Sequence, residues 1–128
     1  MDFIDRLKDS VNTLNLPIKA RTGYLSDKET LVIYPLAGSS VTQKYMDGVK
    51  DVNLNYEIAM KSKDGQRIND TLWIIQNYLE QLEDVVSTDD SFEFTELKIT
   101  NKPFINYTDD SGWFVFLLDI TASVTVLN

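Results

Sequence analysis

The stretch Asn53-Leu54-Asn55-Tyr56-Glu57-Ile58-Ala59-Met60-Lys61 alternates without a slip. Leu54, Tyr56, Ile58 and Met60 fall on one side, and Asn53, Asn55, Glu57, Ala59 and Lys61 on the other. Successive side chains of a strand point to opposite faces, so this is the pattern of an antiparallel sheet with one buried face. Ser62-Lys63-Asp64-Gly65 then turns the chain, with Asp64 placed to cap a helix. Over 66–85 the period becomes helical, as Ile68, Leu72, Ile75, Leu79 and Leu82 recur at alternating steps of four and three. Barely two heptads are too few for a coiled coil, so the stripe is read as core-facing, with Ile74, Tyr78 and Val85 along one flank. Trp73 stands apart from it, about 140° from Ile68 among Gln66, Asn69, Asn77 and Glu80.

Working upstream, Phe3, Ile4, Leu7, Val11 and Leu14 predict an amphipathic helix over 2–15, stopped by Asn15 and Pro17. Glu29-Thr30-Leu31-Val32-Ile33-Tyr34 reads as a strand, punctuated by Pro35 and Gly38-Ser39-Ser40. A second short strand over 41–46 precedes the Asp47-Gly48 turn. Downstream, a strand over 92–99 slips phase between Phe94 and Leu97, which predicts a bulge. Asn101-Lys102-Pro103 is expected to break it, and 107–112 is a turn-rich loop.

The last segment, 113–127, is almost uninterrupted. Phe114, Phe116, Leu118, Ile120, Ala122, Val124 and Val126 form one apolar row, while the other row runs from Trp113, Val115 and Leu117 to Asp119, Thr121, Ser123 and Thr125. Fifteen residues at about 3.3 Å each reach roughly 50 Å, against a diameter of roughly 35–40 Å for a compact chain of this size. The segment is therefore expected to bend, or to leave its own domain for cover by a neighbouring subunit. Trp73, Trp113, Val115 and Leu117 are the candidate subunit or partner contacts, tryptophan being enriched where binding energy concentrates. The bland readings are a lone surface aromatic for Trp73 and burial under the sheet for Trp113.

The order α-β-β(-β)-α-β-β defines an α+β protein: an antiparallel (mixed) sheet with two main helices packed on one face and a long C-terminal strand. The 128 residues are read as a single domain, 1–128.

The chain has no Cys and no His, which excludes disulfides, thiol or imidazole catalysis, and the usual zinc, haem and iron–sulfur sites. A net charge of −8 argues against tight, non-specific binding to DNA or an anionic membrane. The N-terminal residues carry no signal-peptide pattern, so folding in a cytoplasm is expected. Asp89-Asp90, Asp109-Asp110 and the Glu80, Glu83, Asp84 group are the paired acids, and none has the spacing of a calcium loop or of a catalytic pair in a cleft. No phosphate-binding glycine motif occurs. Lys61, Lys63 and Arg67, with Lys44 and Lys50, could form a basic patch, though a solvated surface is the simpler reading. The expectation is no enzyme, no catalytic residues, no cofactor and no metal.

The apolar and aromatic pattern from Asn53-Leu54-Asn55-Tyr56-Glu57-Ile58 through Asp70-Thr71-Leu72-Trp73-Ile74, Asn77-Tyr78-Leu79-Glu80-Gln81-Leu82-Glu83, Ser91-Phe92-Glu93-Phe94 and Gly112-Trp113-Phe114-Val115-Phe116 resembles the tail terminator family of long-tailed bacteriophages. That family is often labelled minor capsid protein, in phages of Gram-positive hosts. The resemblance spans most of the chain, most closely 53–120, and contains no catalytic motif. It implies a virion subunit of the tail or neck that forms a hexameric ring and caps the tail tube. The ring offers the head–tail connector a docking surface and passes DNA only as cargo in a channel. The partners implied are the chain itself, the tail tube protein and the connector proteins, with no membrane. Another neck, completion or tail-tube protein is the nearest alternative, and a non-viral α+β module binding a ligand or partner is the more distant one.

Overall fold

The computed structural model describes residues 3–38, 40–82, 85, 91–108 and 110–127. Along the chain run α1 (Phe3–Val11), β1 (Ala20–Thr22), β2 (Thr30–Pro35), β3 (Ser40–Lys44), β4 (Lys50–Ser62), α2 (Gly65–Glu80), β5 (Phe92–Thr108) and β6 (Phe114–Val126). The six strands form one sheet in the order β1-β2-β4-β6-β5, with β3 beside the first part of β4. All pairings are antiparallel except β1 with β2. The fold is the expected α+β arrangement with a mixed sheet and a long final strand.

Both helices bury one stripe against the same face. Phe3, Leu7 and Val11 of α1 and Ile68, Leu72, Ile75 and Leu79 of α2 join Ile58, Met60, Leu118, Ile120 and Val124 in the main core. The helices also meet through Ser10 and Tyr78, whose hydroxyls lie 2.5 Å apart. The helical period of α2 thus produces the buried stripe that its sequence predicts.

Asp64 caps α2 as expected, its side chain accepting from the Arg67 backbone N–H at 3.2 Å. It is itself held by Ser62, whose Oγ accepts from the Asp64 backbone N–H at 3.1 Å and donates to Glu29 at 2.6 Å. The first turn of α2 contains no acidic residue. Asp64→Ala is therefore expected to cost about 1 kcal/mol, measurable as a lower urea midpoint at unchanged slope.

Several boundaries differ from the sequence reading for identifiable reasons. The first helix ends at Val11 because Asn12 turns its amide onto β1, donating to Ala20 O at 3.0 Å and accepting from Ala20 N at 2.8 Å. That clamp also creates β1, a three-residue strand too short to show a period. The second helix stops at Glu80 rather than 85, where Gln81 leaves helical geometry.

The break expected at Asn101-Lys102-Pro103 does not occur, since β5 continues to Thr108. The strand lies at the edge of the sheet, where proline's missing donor costs no ladder bond, and register shifts absorb the misfit. One shift falls between Phe94 and Glu96, at the predicted slip.

The long last strand neither leaves the domain nor needs a neighbour to cover its edges. It is paired with β4 from Phe114↔Ser62 to Val126↔Lys50, and with β5 over the same length. Its double-sided apolarity is satisfied within the chain as well. Phe114, Phe116 and Leu118 pack toward the helices, while Val115 and Leu117 join Val32 and Ala59 in a second, smaller cluster on the other face, against Leu25 and Tyr34.

Candidate assembly surface

The helix-free face of the sheet is built by the odd-numbered residues of β4 and β6, and it has two halves. Toward the N-terminal end of β4 it is a polar ladder. Thr125 donates to Asp51 at 2.7 Å, Ser123 to Asn53 at 2.8 Å and Thr121 to Asn55 at 2.7 Å, each across a directly opposed pair. An open, polar trough of about 410 Å³ lies over this half, lined by Thr42, Tyr45, Asp51, Asn53, Glu96 and Ser123 among others. Its principal hydrogen-bonding groups already serve one another: Tyr45 Oη donates to Asp51 at 2.8 Å, a bond that makes the phenol harder to ionise and raises its pKa above the ordinary value.

The other half is apolar. Val115 and Leu117 are buried there beneath the 23–29 connection, from which Leu25 packs on them. Trp113 lies at the end of this half, half-buried, with the ammonium groups of Lys61 and Lys63 each 5.1 Å from its ring centroid. Such cation–π contacts are worth roughly 0.5–1 kcal/mol each at exposed sites. Tyr24 stands out into solvent beside Tyr34, their rings 6.1 Å apart, and Phe104 of β5 is exposed opposite Leu117. Trp73 is on the helical side, 36% exposed, with Lys102 of β5 5.9 Å above its ring.

The four candidate residues thus occupy two places. Trp113, Val115 and Leu117 share the apolar half of the helix-free face, and Trp73 sits between α2 and β5. Lys61 and Lys63 stay together, but Arg67 is drawn away, to Glu29 at 3.2 Å and Pro17 O at 3.3 Å. Of the acidic groups, Glu80 is exposed at the end of α2, whereas Glu83, Asp84, Asp89, Asp90 and Asp109 lie outside the described residues. Among the described residues no cluster of three or more metal-ligating acidic side chains forms. The β3 hairpin projects beyond β2 with every residue of β3 exposed, and its turn carries Met46 fully into solvent.

Between the polar and apolar halves lies a feature the sequence reading passed over. Glu57 and Asp119 oppose each other on β4 and β6, and Tyr34 of β2 donates its phenol proton to Glu57 Oε1. Burial, then the hydrogen bond with Asp119, pushes the Glu57 carboxyl up to about 7 from its usual 4.5, although the Tyr34 bond opposes this. Burial and the bond to Glu57 hold Tyr34 far above the ordinary phenol range. Tyr56, on the helix side, is pushed up to about 12 by burial alone. The available signal was the presence of two acids mid-strand, but only the register shows that they meet.

Aromatic and lysine side chains thus lie on two surfaces, and the polar groups of the helix-free face bond one another. The sequence pattern of the family described as bacteriophage tail terminator protein matches residues 6–126, so the chain belongs to the bacteriophage tail terminator family. Membership makes it a structural tail protein and a virion component that assembles with other virion proteins. No curated protein matches the chain. Among the described residues no helix is long and apolar enough to cross a membrane.

Proposed function

We propose that this chain is the subunit of a ring, a hexamer, that caps the finished tail tube and presents the surface on which the head–tail connector docks. The observation that carries this reading is the family match over 6–126. The mechanism is geometric: one face of the ring matches the last ring of the tube and blocks further addition, and the opposite face receives the neck. DNA passes through without being held. A charge of −8 on each subunit supports that, because like charge on the channel wall and on the phosphates disfavours adhesion. Assembly in the host cytoplasm is part of the same reading.

The subunit contacts are assigned to two surfaces. One is the half-exposed Trp113, at the end of the apolar half whose Val115 and Leu117 are buried under the chain's own Leu25 and support the surface from below. The other is Trp73 with Lys102. Two different surfaces suit a head-to-tail contact, in which each subunit meets its neighbours through unlike patches and the rotation closes a ring.

Light scattering on the purified protein over a range of concentrations tests this. A discrete species near six times 14.7 kDa is expected, reduced to monomer by Trp113→Glu and by Trp73→Glu. Long polymers would point to a tube subunit instead. A species that stays monomeric even when mixed with tail tubes would remove the ring reading.

A further inference from the structure

Four adjacent strands place one polar side chain each at the same level of the helix-free face. Tyr34 on β2 is opposite Glu57 on β4, Glu57 is opposite Asp119 on β6, and Asp119 is opposite Asn101 on β5. Two of the three junctions are hydrogen-bonded, and the third sets two carboxylates side by side. Tyr34 Oη donates to Glu57 Oε1, Asn101 Nδ2 donates to Asp119 Oδ2 at 2.8 Å, and Glu57 lies within hydrogen-bonding reach of Asp119. One acceptor is left over: Asp119 Oδ1 is shut off from solvent and has no donor. Glu57 is only 9% exposed. Two ionised carboxylates directly opposite each other repel, and a buried acceptor without a donor is destabilising. A single proton on the free oxygen of Glu57 removes both penalties.

We propose that Glu57 and Asp119 share one proton, carried on Glu57 Oε2 and donated to Asp119 Oδ1, and that it latches β4 to β6 until mild alkali removes it. The loss is a plain deprotonation, leaving two carboxylates face to face.

The surrounding charges do not substitute for that proton. Lys61, four residues along β4 on the same face, donates to Ser26 O at 3.3 Å and caps Trp113. Lys98 of β5, level with Thr121, pairs with Glu96 at 3.6 Å. Arg21 of β1 stands level with Val32 rather than Tyr34. From the connection above, Glu29 is engaged by Ser62 and Arg67. Among the described residues no ion pair reaches either carboxylate.

The direction of the effect follows from linkage. The folded protein holds this proton more tightly than the unfolded chain does, so its contribution is full below pH 4.5 and is lost as pH rises through about 7. Glu57→Gln keeps the geometry without the titration, because its amide oxygen accepts from Tyr34 and its amide nitrogen donates to Asp119.

Thermal unfolding of the natural protein, Glu57→Gln and Asp119→Asn at pH 5 and pH 8 tests the latch, with the infrared band of a protonated carboxyl as a direct readout. Glu57→Gln is expected to match the natural protein at pH 5 and to exceed its Tm by about 5 °C at pH 8. The protonated band is expected near pH 6 in the natural protein and to vanish in Glu57→Gln. Asp119→Asn, lacking the second charge, is expected to lose the band at a lower pH than the natural protein does, while burial still holds Glu57 above its ordinary range. A Tm difference that does not change with pH, or a band that survives in Glu57→Gln, would overturn the proposal. If Glu57→Gln fails to fold, the Asp119→Asn band decides alone. The latch lies within one chain, so its failure leaves the ring reading untouched.

Discussion

Phe3→Ala is expected to destabilise the protein by about 3–5 kcal/mol, a large part of the roughly 5–15 kcal/mol that holds a domain folded. The residue stands on the first turn of α1 and is fully buried. Its ring lies 5.7 Å from that of Tyr56, 5.2 Å from Phe92 and 6.2 Å from Phe94, so one side chain ties the helix to both β4 and β5. A helix of nine residues has no stability of its own in water. Removing its anchor leaves a cavity and frees the helix. Urea unfolding measures the loss, and amide exchange is expected to quicken in α1 before it does in β4. A cost under about 1 kcal/mol would show that Leu7 and Val11 hold the helix unaided.

Leu118→Ala is expected to cost about 2–5 kcal/mol. Leu118 is fully buried on β6, an interior strand, paired with Ile58 on one side and packed under the helices. Its neighbour Asp119 points to the opposite face, across from Glu57, so one step along the strand exchanges a packing site for a pair of carboxyl groups. The two substitutions therefore separate in their pH dependence. The Leu118→Ala loss is expected to be the same at pH 5 and pH 8, whereas that of Asp119→Asn changes. Urea midpoints at the two pH values give the comparison directly.

The parts of this fold that local chemistry dictates were legible in the chain. The alternation of β4, the stripe and cap of α2 and the exposure of Trp73 each follow from residues within one element. The family was legible too, because its pattern of apolar and aromatic positions runs through those same elements. What was not legible depends on partners distant in sequence. The three residues of β1 are a strand only because Asn12 clamps Ala20 and β2 lies alongside. Pro103 does not end β5 because the strand is at an edge, and that position is a property of the sheet. The last segment looked too long for its domain because two flanking strands at least as long, β4 of 13 residues and β5 of 17, were not visible beforehand. The cover over Val115 and Leu117 comes from Leu25 in an aperiodic connection. The meeting of Glu57 with Asp119 needs the register, which two separate strand readings do not contain.

Because β6 is the strand that joins β4 to β5, the order of manufacture matters. A ribosome delivers every other strand first, and until β6 emerges the sheet lacks its middle: β4 and β5 have no bond to each other. Until then the nascent chain carries unsealed strand edges on β4 and β5. Native closure awaits the final segment, and a chain cut short before it has no route to the finished sheet.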